Sequence, residues 1–134
     1  MNPPEKNQPV VSSRAPRPLG AYPHARRLGN LLFLSGIGPR HRVTEQIPEG
    51  IEAQTRACIE NVKAILEDAG SSLTKVVDVT VFLTNMDRDF AAFNQVYGEY
   101  FETLPSRPTR TTVGVVALQV PISIELKVIA EVGT

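Results

Sequence analysis

Between Ile122 and Ile129 apolar and polar residues alternate, with Ile122, Ile124, Leu126 and Val128 against Ser123, Glu125 and Lys127. Successive side chains of a strand point to opposite faces. The pattern therefore predicts a strand with one face in a core and charged groups on the other. The run from Pro108 through Val116 to Ala117 reads as its partner, with Arg110, Thr112, Gly114 and Val116 on one face and Thr111, Val113, Val115 and Ala117 on the other. Only Leu118–Pro121 stands between them as a turn, so the expectation is a β-hairpin whose second face carries Arg110, Thr112, Glu125 and Lys127. In that hairpin Glu125 lies opposite Gly114, and Arg110 sits roughly 13 Å further along the strand.

The rest of the chain supplies the layers. Ile51–Ala69 places Ile51, Thr55, Cys58, Ile59, Val62, Ile65, Leu66 and Ala69 at helical spacing, with Gly70 where a C-terminal cap belongs. Asp87 or Asp89 caps a second helix ending near Phe101, with an aromatic stripe of Phe90, Phe93, Tyr97, Tyr100 and Phe101. Strands are expected at Ala21–Leu28, Leu31–Gly36 and Val76–Leu83, the last with Val77, Val79, Val81 and Leu83 on one face. Arg40–Glu49 reads as an irregular loop. Five prolines among residues 1–18 favour an extended arm, leaving 19–134 as one domain. Two helices cover one face of such a sheet. The other offers Phe82, Val116 and Ile129 beside charged groups, which calls for a second subunit to cover it.

Several chemistries are excluded. The chain has two histidines, His24 and His41, and one cysteine, Cys58, so the zinc deaminase signature and HExxH are absent. There is no GxSxG elbow, Walker A loop or GxGxxG. Cys58 lies on the apolar stripe of the first helix and reads as a buried thiol. A lone cysteine suits a reducing cytoplasm, and no apolar run approaches the roughly 20 residues of a membrane span. Formal net charge is zero, which argues against general nucleic-acid binding. From Lys6 to Thr44, however, there are seven Lys or Arg and no acid, read either as a solvated basic stretch or as a binding patch. What remains for chemistry is Arg, Glu, Tyr, Ser and Thr. That set binds a carboxylate and moves a proton, and as a hydrolase it needs an electrophilic substrate such as an imine.

From about Leu19 to Val132 the chain resembles the Rid family, the reactive intermediate deaminases also called YjgF proteins. The markers are Gly29–Gly36, Gln54-Thr55-Arg56, Glu60–Leu66, Ala69–Leu73, Val79–Leu83, Phe93–Tyr97, Pro108-Thr109-Arg110 and Ile124-Glu125-Leu126. Gly20-Ala21-Tyr22-Pro23-His24, Pro108–Val113 and Ile124–Lys127 resemble the 2-aminomuconate deaminase branch in particular. Ile37 replaces the glutamine of the family's usual SGQ, and Thr112 the cysteine common two residues after its arginine.

The resemblance implies an α+β, chorismate-mutase-like single domain with a mixed sheet and two helices on one face. It further implies a homotrimer with clefts between subunits, and cofactor-independent hydrolysis of enamine or imine carboxylates to ketone and ammonia. By position, Arg110 binds the substrate carboxylate and Glu125 handles the attacking water, while Tyr22, Ser35 and Asn94 line or support the pocket. Thr112 stands beside them. His24 and the Arg40-His41-Arg42 cluster are placed to meet a second carboxylate, or else form a solvated basic loop. No metal or cofactor is expected. Three readings stay open: a 2-aminomuconate deaminase, a general 2-aminoacrylate-type imine deaminase, and a non-enzymatic ligand-binding, regulatory or RNA-acting protein.

Overall fold

The computed structural model describes residues 8–133. Its strands are β1 (Pro9–Val10), β2 (Ala25–Leu28), β3 (Leu31–Leu34), β4 (Val76–Leu83), β5 (Thr109–Gly114) and β6 (Ile124–Glu131). Its helices are α1 (Ile51–Asp68) and α2 (Met86–Phe101), with a single 3-10 turn at Leu73–Lys75. The six strands form one mixed sheet in the order β1-β2-β3-β6-β4-β5. Both helices pack on the same side, α1 over β6 and α2 over β4. No helix among the described residues is long and apolar enough to cross a membrane.

The helices form where their periodicity places them. α1 buries Thr55, Cys58, Ile59, Val62, Ile65 and Leu66, and ends at Gly70, whose φ of 83° is a left-handed value that glycine adopts without a Cβ penalty. The cap of α2 is Asn85, whose side-chain oxygen accepts from the Arg88 N–H at 3.1 Å, rather than either expected aspartate. Asp89 lies inside the first turn, buried and paired with Arg88 at 2.8 Å.

The expected hairpin does not form. β5 pairs in parallel with β4, and β6 runs antiparallel on the other side of β4. The chain leaving β5 steps across the end of β4: the Val115 N–H donates to the Leu83 carbonyl and the Thr84 N–H to the Ser123 carbonyl. Strands lie about 4.8 Å apart, so the link from Val115 to Ser123 spans the strand between with ease. β4, α2 and β5 make a strand–helix–strand unit, the usual way to join parallel neighbours.

This topology reassigns the faces. Val79 pairs with Arg110 and Val128, Val81 with Thr112 and Leu126, and Leu83 with Gly114 and Ile124. Arg110 and Thr112 therefore stand on the helix-covered face. Glu125 and Lys127 stand on the opposite face, level with Phe82 and Thr80. Glu125 faces Phe82 across the ladder, not Gly114.

Two smaller departures have local causes. A register shift between Val76 and Asp78 brings Val76 into the core and leaves Val77 43% exposed, so the expected core face holds from Val79 onward but loses Val77. β2 begins at Ala25 rather than Ala21, because the Tyr22 N–H turns back to the Gly20 carbonyl and Pro23 has no N–H to give a ladder. The described part of the expected extended arm contributes β1 against β2, but it turns at Ser13-Arg14 and buries Ala15 in the core; residues 1–7 of that expected arm lie outside the described residues. The open face carries the half-buried Phe33, Phe82, Val113 and Ile129 among its polar groups.

Candidate functional site

The residues expected at one site fall into two groups. The first lies at the sheet edge, where β5 is the last strand and α2 crosses beside it. The Arg110 guanidinium donates through Nη1 to Asn94 Oδ1 at 2.8 Å. It lies 4.7 Å from the ring centre of Tyr97, 5.3 Å from Phe93 and 5.9 Å from Phe90. Aromatic faces attract a guanidinium and hold it flat. No ion pair among the described residues includes Arg110. It is thus a positioned cation with its charge unanswered, at the mouth of a groove that Tyr97, Phe101, Arg107 and Pro108 continue. The Tyr97 hydroxyl and Thr112 Oγ1 are both buried without a hydrogen-bond partner. Asn94 fixes the arginine rather than a loop.

The aromatic platform was visible in the sequence only as a helix stripe. Phe93 and Tyr97 are four residues apart and share a face. Nothing in that spacing says a cation will lie on it.

The second group gathers around Glu125, where β6 passes the end of β3. Its carboxyl is half-buried, takes part in no ion pair among the described residues, and is held above the usual carboxylate range by burial. The room for it comes from Gly36: a Cβ there would lie 2.5 Å from Glu125 Oε2 and 2.8 Å from its carboxyl carbon. Gly36 is set by its neighbours, since Ile37 bridges to Leu126 with N–H···O distances of 2.8 and 2.9 Å in the two directions. The Cys58 thiol donates to the Ile37 carbonyl at 2.9 Å and is fully buried, its pKa pushed far up by burial, as an inert structural thiol should be.

Beside Glu125 stand Ser35, whose hydroxyl donates to the Pro23 carbonyl at 2.8 Å, and Tyr22, whose hydroxyl accepts from the Leu19 N–H at 3.3 Å. A cavity of about 40 Å³ adjoins the carboxylate, room for a few waters. An open groove of about 450 Å³, shared by Tyr22, Ser35, Gly36 and Glu125 and walled by Ala117–Gln119, lies next to it.

His24 does not fill the expected role. It is buried, its Nδ1 accepts from the Ser12 N–H at 2.8 Å, and its Nε2–H donates to the Pro16 carbonyl at 2.7 Å. Both nitrogens are spent on anchoring the arm. Of Arg40, His41 and Arg42 only Arg40 lines the Glu125 cavity; His41 Nδ1 accepts from the Val43 and Thr44 N–H groups and closes a turn.

Gly36→Ala tests this geometry directly. The new methyl meets the far end of a flexible side chain, so the fold should survive with little change in Tm. Glu125 should swing out of place, and any activity that depends on it should fall at least tenfold, about 1.4 kcal/mol in the barrier.

Residues 12–132 match the family model described as Endoribonuclease L-PSP. A RutC family protein of Pyrococcus abyssi is 44% identical over 122 residues, covering 90% of this chain and 94% of its own. The Escherichia coli K12 protein named "Putative reactive intermediate deaminase TdcF" is 38% identical over 122 residues, with the same coverage. A crystal structure of Escherichia coli TdcF with bound serine superposes with a TM-score of 0.88 at 35% identity, covering 94% of this chain and 99% of that one.

Proposed function

The chain belongs to the endoribonuclease L-PSP family, the YjgF or Rid proteins, and on that premise we propose that it is a cofactor-independent hydrolytic deaminase of enamine and imine carboxylates, with 2-aminomuconate as its substrate. One observation carries the reaction class. Glu125 is a half-buried carboxylate with no cationic partner among the described residues, beside a water-sized cavity. A base of this kind accepts a proton near neutrality more readily than a solvated glutamate does.

In this reading the enamine tautomerises to the imine and its carboxylate lies against Arg110, a planar fork suited to two parallel hydrogen bonds. Glu125 takes a proton from water as the oxygen attacks the imine carbon. Glu125 hands that proton to the nitrogen, giving the carbinolamine; on collapse the hydroxyl proton follows it to the nitrogen by the same carboxylate, ammonia leaves and the 2-oxo acid remains. Tyr22 and Ser35 border the reacting carbon, and Asn94 holds the arginine.

Arg110 and Glu125 stand on opposite faces of one sheet, so a site that uses both is built across a subunit boundary in this reading. The half-apolar open face supplies the reason to assemble, and we infer a homotrimer with each site built from two chains. The choice of 2-aminomuconate rests on the sequence of Gly20–His24, Pro108–Val113 and Ile124–Lys127. A relative holding serine favours a second reading, a broader deaminase of small 2-aminoacrylate-type imines. Generating 2-aminomuconate and 2-aminoacrylate in situ and comparing ammonia release with and without the protein separates the two. Acceleration of neither would reject the deaminase.

The pH profile should carry the mark of Glu125. Its folded pKa is raised, so the base becomes ionised only above the ordinary glutamate range, and the acid limb of kcat should lie above about 4.3. The same shift acts on stability with a definite sign. Ionising this carboxyl is harder folded than unfolded, so its contribution to stability declines as pH rises from the unfolded to the folded pKa. Glu125→Gln should abolish the limb and flatten that decline.

A further inference from the structure

The rim of the Glu125 cavity contains an unusual tie. Arg17 donates through Nε to Glu45 Oε2 at 2.9 Å, and Arg40 reaches Glu45 Oε1 through Nη1 at 3.3 Å. Arg40 Nη2 donates to the Arg17 carbonyl at 2.8 Å, so the two arginines are held together as well as to the same carboxylate. Both line the cavity that Glu125 lines. The Arg40 side chain is only 12% exposed, whereas Glu45 and Arg17 are 38% and 68% exposed. A guanidinium buried to that degree against a cavity needs an anion, and the one present is a surface glutamate on a loop.

The backbone of Glu45 is itself out of the ordinary. Its φ is 60°, the one left-handed non-glycine among the described residues. It is kept there by its N–H to the His41 carbonyl and by the His41 N–H to the Gln46 carbonyl, both 2.9 Å. Strained backbone of this kind persists where the surroundings hold it, often at ligand clamps. Meanwhile Asn61 Nδ2 donates to the carbonyls of Gly38 and Arg40 at 2.9 and 3.0 Å, fixing Arg40 from α1. The cation is anchored in the body of the protein; the anion is carried on a loop.

We propose that Arg17 and Arg40 form a second carboxylate subsite at the rim of the Glu125 cavity, and that Glu45 is a resident carboxylate which a dicarboxylate ligand displaces. This deepens the deaminase reading and rests on it for the location of the reacting carbon. The monocarboxylate end lies with Arg110 and the far carboxylate with Arg40. A substrate with one carboxylate leaves Glu45 in place, and a dianionic one exchanges it, so the device selects for the second charge.

The test uses two six-carbon dienes of the same geometry that differ in that charge, trans,trans-muconate and sorbate, with binding read by calorimetry on the full chain. The wild type should bind muconate about tenfold more tightly than sorbate, the scale of one charge-assisted contact. Glu45→Gln removes the competing charge from an exposed loop and should tighten muconate severalfold while leaving sorbate unchanged. Arg40→Gln should erase the preference. If Glu45→Gln leaves muconate within twofold of wild type or weakens it, the three residues are a structural tie and the subsite is rejected, whatever becomes of the Arg40 variant. Ammonia release reports separately: a muconate preference that responds to Glu45→Gln in a protein that deaminates nothing would reject the deaminase and keep the subsite.

Discussion

Arg110→Gln should lower kcat/KM by roughly 30- to several-thousand-fold. Truncating one member of a desolvated charge pair costs about 2–5 kcal/mol, and each 1.36 kcal/mol is tenfold. Part of the loss should fall on KM, since the carboxylate is present before and during the reaction. Arg110→Lys keeps the charge but gives up the planar fork and the flat contact with Tyr97, so it should fall between. The glutamine variant should fold, because no ion pair among the described residues is broken. A variant within about threefold of wild type, below roughly 0.7 kcal/mol, would make Arg110 a strand residue and move the site elsewhere.

Mixing two inactive variants should restore activity. Arg110→Gln chains carry an intact Glu125 and Glu125→Gln chains an intact Arg110. If each site draws one residue from each of two adjacent chains, random reassembly of equal amounts gives about a quarter of the sites both intact residues. Unfolding and refolding the mixture should therefore recover roughly a quarter of wild-type turnover from parents that have almost none. The same solution should scatter light as a trimer. If one chain supplied both residues, no mixture would recover anything. A trimer that shows no recovery thus rejects the shared site and spares the assembly; a monomer rejects both.

That experiment follows from pairing information the sequence does not contain. The alternation in Thr109–Gly114 and in Ile124–Glu131 correctly identified two strands and which residues share a face within each. It could not say which strand lies next to which. A hairpin and a crossover leave the same apolar–polar pattern, and the deciding contacts, such as the Val115 N–H on the Leu83 carbonyl, belong to backbone groups that every sequence has. So Arg110 and Glu125 were legible as residues and not as occupants of opposite faces. The helices read better because α1 and α2 each bury a stripe whose period fixes its own partner side.

His24 shows the other limit. An imidazole within a basic stretch invites a role with anions. Its two nitrogens are consumed by Ser12 and Pro16, residues 12 and 8 positions earlier in a proline-rich segment with no periodicity to place it. Gly36 is a subtler case. It was visible as part of a motif, but only the position of Glu125 explains what a side chain there would displace.

The placement of β6 has a consequence for how the protein comes into being. β6 is the last strand along the chain, yet it lies between β3 and β4 in the sheet. Until it arrives, β2–β3 and β4–β5 have no ladder between them, only the packing of α1 against α2, and their inner strands have unsatisfied edges. A nascent chain on the ribosome therefore cannot close this sheet as it emerges. The final strand can take its place between β3 and β4 only after synthesis reaches Glu131, a step rich in long-range contacts and slow for that reason. The same insertion carries Glu125 to Gly36, so completion of the fold and delivery of the candidate base are a single event.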